Sequence, residues 1–212
     1  MKSILFGIVF LLALMQISGS PVAREAKKMK KITIVSLGDD VNRTVLEFLR
    51  ESLERRFGAM VEVADPMDLP AHAYDKDRNQ YLSNIILDFL NSRQKPPEGA
   101  RILAVTNQDL TVPNLNFVFG QADLRSGICI ISLARLRPEY WHDRPDAALL
   151  QKRILTEAVH ELGHTLGLDH CPNPHCVMYF SSTLQDTDNK SYAFCEKCQA
   201  RLNPSTSGRV RR

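Results

Sequence analysis

Residues 160–170 read His-Glu-Leu-Gly-His-Thr-Leu-Gly-Leu-Asp-His. On a helix, His160 and His164 stand one turn apart on one face, so both imidazoles can reach a single cation. Glu161, beside that pair, can aim its carboxylate at a water on the cation without ligating it. A third ligand has to come from another direction. Gly167 can take a positive φ and let the chain leave the helix sharply, so that His170 turns back toward the ion. Three neutral imidazoles leave a fourth position open, the donor set of a catalytic rather than a structural zinc site. The chemistry to expect is hydrolysis, with the ion acidifying water and Glu161 taking its proton as general base. His72, His142 and His175 have no such neighbours and are expected at the surface.

Four of the five cysteines form a second pattern, Cys171-x4-Cys176 and, eighteen residues on, Cys195-x2-Cys198. Two such pairs read as a closed tetrathiolate zinc site, because a C-x2-C pair turns both thiolates toward one ion. Two disulfides are the competing reading, and an oxidising compartment would favour them. Cys129 lies in the apolar stretch GICIIS and is expected to be a buried free thiol.

The pattern H-E-x-x-H-x-x-G-x-x-H resembles the metzincin clan of zinc metallopeptidases. Its extension through C-x4-C-x-M to C-x2-C, with the segment NFVFGQADLRSGICIISLARLRPE over 116–139, resembles the archaemetzincin family, peptidase family M54. The likeness spans about residues 30–200. It implies a single compact metzincin-like α/β domain, with a twisted mixed sheet, an active-site helix and a small zinc-stabilised C-terminal subdomain. It also implies two zinc ions per chain. One would be catalytic at His160, His164 and His170, with Glu161 as base; the other would be structural at Cys171, Cys176, Cys195 and Cys198. Met178, eight residues after His170, is the counterpart of the methionine that the clan places in a tight turn beneath the metal. An edge strand above the cleft would pair with an extended substrate, and residues 117–120 or the strand after them are the candidates.

The elements that must position these residues are visible in the hydrophobic periodicity. Residues 31–38 read as a buried strand. Val41, Val45, Phe48, Leu49 and Leu53 follow a helical period, with Asp39 or Asp40 as cap and Gly58 as stop. Residues 61–64 suggest a short strand and 66–79 a loop. Leu82, Ile85, Ile86, Phe89 and Leu90 give a second amphipathic helix, closed by Pro96 and Pro97. Strands are expected at 101–107, 117–120 and 127–132, and a long helix at 147–166. Thr156 and Glu157, one turn before His160, could orient an imidazole or simply solvate the helix surface.

Composition bounds the rest. With 212 residues, 44% hydrophobic and 24% charged, the chain suits one globular domain with a small appendage and not a disordered polymer. Residues 1–31 and 209–212 hold nine of the 27 basic residues and one of the 24 acids, so the body carries 18 against 23, a formal −5. A nucleic-acid partner is therefore not expected. Lys2 precedes an apolar run over 4–17 with small residues after it. That run is short for a membrane span and right for a signal-peptide core. The expected division is a signal peptide or N-terminal hydrophobic segment over 1–23, a basic linker over 24–31, a metalloprotease domain over 32–203 and a flexible basic tail over 204–212. Secretion or periplasmic export follows if the segment is cleaved; otherwise the chain is cytoplasmic or membrane-anchored. A monomer acting on a peptide or protein is expected, with no membrane partner beyond that segment. Two rival functions use the same residues: a zinc-dependent amidohydrolase on a non-peptide amide, and a zinc-binding module without turnover. The second would have no need of Glu161. Endopeptidase and aminopeptidase action both stay open, since no acidic residue stands out to hold a substrate's amine.

Overall fold

A strand covered on both faces is apolar without alternation, and two segments of this chain have that character. They form the middle of the sheet: β1 (Lys31–Leu37), buried after its first residue, and β5 (Ala100–Thr106), buried throughout. The computed structural model describes residues 29–38 and 41–203. The expected N-terminal apolar segment, most of the basic linker, the two candidate caps Asp39 and Asp40 and the basic tail lie outside the described residues.

Five strands build the main sheet in the order β2 (Met60–Val63), β1, β5, β8 (Ile128–Ser132), β7 (Gly120–Asp123). The first four run parallel, and β7 pairs antiparallel with β8 at the edge. Alternate side chains feed two cores. Ile32, Ile34, Leu103, Val105, Cys129 and Ile131 meet α1 (Arg43–Phe57) and the long helix α3 (Ala147–Thr165). Val35, Leu37, Ile102, Ala104, Ile128 and Ile130 meet α2 (Ser83–Arg93) on the other face. Between α3 and residue 203 the chain is mostly irregular, with two short helices, α4 (Leu184–Asn189) and α5 (Glu196–Leu202). No helix among the described residues is long and apolar enough to cross a membrane.

Three expectations need correction. Asn42 caps α1, its side chain accepting from Thr44 N–H at 2.8 Å. The expected loop over 66–79 contains β3 (Tyr74–Asp75), which pairs with β4 (Gln80–Leu82); β6 (Leu110–Thr111) completes a second, three-stranded sheet. Its turn is made by polar residues that favour such bends: Asp75 accepts from the backbone of Asp77 and Arg78, and Asn79 takes φ 53°. Residues 117–119 are not a strand, only Val118 bridging Leu110, and the edge strand begins at Gly120. The first strand opens at Lys31 as expected, with an ion pair to Glu62 at 2.7 Å, and Met29 just before it is buried.

Candidate active site and metal centres

Helix α3 starts at Asp146, whose side chain accepts from Leu149 N–H, and its second half is almost wholly buried. Its last turns lie between the sheet and the C-terminal segment. His160 is buried there, His164 is half-buried, and His170 is exposed beyond the helix end. Gly167 takes φ 90°, the left-handed turn that brings His170 round. His160 Nδ1 donates to Val177 O at 2.6 Å and His164 Nδ1 to Leu168 O at 2.7 Å. An Nδ1–H held by a carbonyl leaves the Nε2 lone pair free and aimed. The two Nε2 atoms converge to 3.1 Å, and ligand atoms of all three histidines lie within 4.8 Å of one another. A tetrahedral zinc with bonds of about 2.1 Å would space its nitrogens about 3.4 Å apart, so the donor set fits that ion. Burial lowers the pKa of each of the three imidazoles, and for His160 the charge of Lys190 adds to it, so all three are held neutral as ligands must be.

Glu161 faces the same cleft and is 5% exposed. Burial, then the nearby Glu157 carboxylate, pushes its carboxyl well above the usual range. The cleft holds about 420 Å³, and Gly120, Gln121 and Ala122 of the edge strand form one wall. Gly120 is required there. A Cβ at that position would lie 2.7 Å from both Cγ and Oε1 of Glu161 and 2.8 Å from Ile130 O. No motif flagged this glycine, because its constraint comes from a residue 41 positions away. Met178 is fully buried beneath α3, where a Cβ on Gly163 would strike its Sδ and sit 3.0 Å from the Phe194 ring. That contact explains the glycine inside the histidine motif.

Thr156 and Glu157 are both buried, so neither solvates the helix surface. Neither bonds an imidazole, since the His160 partner is a backbone carbonyl 17 residues downstream. Glu157 instead meets Lys190, which sequence reasoning missed. His72, His142 and His175 are exposed, and Cys129 is a buried free thiol, as expected.

The other four cysteines also come together. Cys171 and Cys176 lie in the loop after His170, Cys195 caps α5 and Cys198 sits in its first turn. All four are free thiols in this structure. The sulfurs of Cys171 and Cys195, and of Cys176 and Cys198, stand 3.8 Å apart. Zinc–sulfur bonds of about 2.3 Å in a tetrahedron give the same separation, about 3.8 Å. The backbone N–H of Cys198, with help from the other thiols, lowers the Cys195 pKa to about 7, whereas burial raises those of Cys176 and Cys198.

A profile of peptidase family M54 matches residues 29–204, which hold every residue named above as a donor. The chain belongs to peptidase family M54. An archaemetzincin from Pyrococcus furiosus is 43% identical over 176 residues, 81% of this chain and 91% of that protein. The crystal structure of archaemetzincin from Methanopyrus kandleri superposes with a TM-score of 0.72 at 38% identity, over 86% of this chain and 97% of that one. That of archaemetzincin from Archaeoglobus fulgidus, complexed with malonate, gives 0.70 at 39% identity, over 81% and 99%. M54 is a family of zinc metallopeptidases, so the chain is a zinc-dependent hydrolase of peptide bonds with the family's mixed α/β fold.

Proposed function

We propose that His160, His164 and His170 hold the catalytic zinc, that Glu161 is the general base, and that Cys171, Cys176, Cys195 and Cys198 hold a second, structural zinc. The single observation that carries this reading is the convergence of two Nε2 atoms, each backed by a carbonyl on Nδ1, beside a buried carboxylate in an open cleft. The bound zinc supplies an acidified water and a positive charge for the oxyanion. Glu161 takes a proton in the cleft and returns it to the leaving amine; its burial favours the protonated form between those steps. Met178 supports α3 from below, and the free edge of β7 offers backbone groups to an extended peptide. Leu115, Phe117, Val118, Leu124 and Phe180 line the cleft, with no Lys, Arg or Asp among its lining residues. That lining favours apolar side chains in the substrate beside the scissile bond. Glu161→Gln tests the reading: it should keep the zinc content of the wild type and lose about 10²–10⁴-fold in kcat. Undiminished turnover at equal zinc content would sink it.

A further inference from the structure

Lys190 has a side chain with no exposed surface. Its Nζ lies 3.2 Å from Glu157 Oε1 and donates to Tyr179 O at 3.2 Å. Thr187 Oγ1 donates to the same Glu157 oxygen at 2.9 Å and lies 3.0 Å from Ser181 Oγ, close enough to accept its proton. Glu157 and Ser181 both line the cleft beside His160 and Glu161.

Three successive carbonyls on the segment that passes under α3 are thereby taken by three different parts of the chain. Val177 O accepts from the His160 imidazole, Met178 O from the backbone N–H of Cys171 at 2.8 Å, and Tyr179 O from Lys190. Lys190 is also the residue that ends α4, and α4 is tied to α3 a second time, one turn earlier. There Arg153 grips the Asp188 carboxylate at 2.7 and 2.8 Å, and Lys152 donates to Asp188 O at 2.6 Å. Burying a lysine and a glutamate costs several kcal/mol per ion, and apolar residues of similar volume often give equal or greater stability. What the pair does supply is geometry: it ties Tyr179, Thr187 and Lys190 to Glu157 on α3.

We propose that Glu157, Thr187 and Lys190 form a positioning unit for the active site, which fixes residues 177–181 against α3 so that His160 keeps its carbonyl partner and Ser181 its place in the cleft wall. None of the three is a catalytic residue. The inference rests on the assignment of His160 as a ligand made above.

Removing one partner alone would strand a buried charge, so the test is the double variant Glu157→Leu/Lys190→Met. Its melting temperature should stay close to that of the wild type. The Nδ1–H proton resonance of His160, read by NMR in protein stripped of zinc at the histidine site alone, should shift or exchange away. In the zinc-loaded protein kcat should fall about tenfold or more with KM little changed, the range found when groups behind a metal ligand are removed. A purely structural role would move neither the resonance nor the split between kcat and KM. A folded double variant with the wild-type resonance and wild-type kcat overturns the inference. If the double variant does not fold, Thr187→Val carries the test, with a severalfold loss of kcat expected and an unchanged kcat overturning the proposal. Failure of the ligand assignment would look different. Undiminished zinc content in His160→Ala would refute that reading, while the His160 resonance of protein stripped at the histidine site alone tests the positioning unit without it.

Discussion

The histidine and cysteine clusters adjoin at His170 and Cys171, yet they are built in opposite ways. His160 and His164 stand on a 19-residue helix packed against the sheet, and carbonyls at 2.6 and 2.7 Å orient their rings. Their geometry comes from the fold. The cysteines come from a loop and from the start of a seven-residue helix, with short connections between. Their geometry comes largely from one another, through whatever joins the sulfurs. An open site can leave a position for substrate only if the protein holds its ligands in advance, whereas a closed site can turn binding energy into folding energy. The two are coupled through one peptide bond and through the Cys171 N–H to Met178 O contact at 2.8 Å.

The largest way to break this contrast is Cys176→Ala. Structural zinc contributes on the order of 10 kcal/mol in small metal-organised folds. Its loss should release residues 171–203 to limited proteolysis, remove one zinc and abolish peptidase activity by displacing His170. An intact, protease-resistant and active variant would show that the cysteines are not needed to order that segment. His164→Ala should abolish activity as fully and also remove one zinc, yet leave the segment protected and the melting temperature within a few degrees of that of wild type stripped at the histidine site. Unfolding of the C-terminal segment in this variant would erase the distinction between the sites.

A smaller effect sharpens the picture of α4, which joins the two regions. Thr183 and Asp186 form a capping box at its start, and the Thr183 hydroxyl, opposed by some burial, holds the Asp186 carboxyl below its usual range. A lowered carboxylate pKa contributes stability above the unfolded-state value of roughly 4, and that contribution is lost as pH falls through the folded-state value. Asp186→Asn should therefore cost at most about 1 kcal/mol at neutral pH, with the thermal melts of variant and wild type converging in acid. A gap that widened in acid would contradict the assignment.

What could be read from the sequence follows the range of the interactions involved. His160, Glu161, His164 and the turn at Gly167 lie within eight residues, so helical spacing and one glycine convey their arrangement. The central strands were legible because burial on both faces leaves continuous apolar runs at 31–37 and 100–106. The edge strand was misplaced by three residues, because Phe117, Val118 and Phe119 look like a strand but pack as a cleft wall, while the polar GQAD is the paired segment. Lys190 was invisible for the same reason of range. Nothing local distinguishes a lysine after a short polar helix, and its partner Glu157 lies 33 positions earlier. The hairpin at 74–82 was missed because its strands are two and three residues long.

The central claim is that one chain carries two zinc ions, one open and hydrolytic, the other closed and structural. Native mass spectrometry of the purified protein, followed by the mass of the denatured, metal-free chain, tests it directly. The account predicts a native mass two zinc ions above the chain and a denatured mass with all five cysteines as thiols. A single zinc with four hydrogens missing from the denatured chain would mean two disulfides in place of the second metal, and would contradict it.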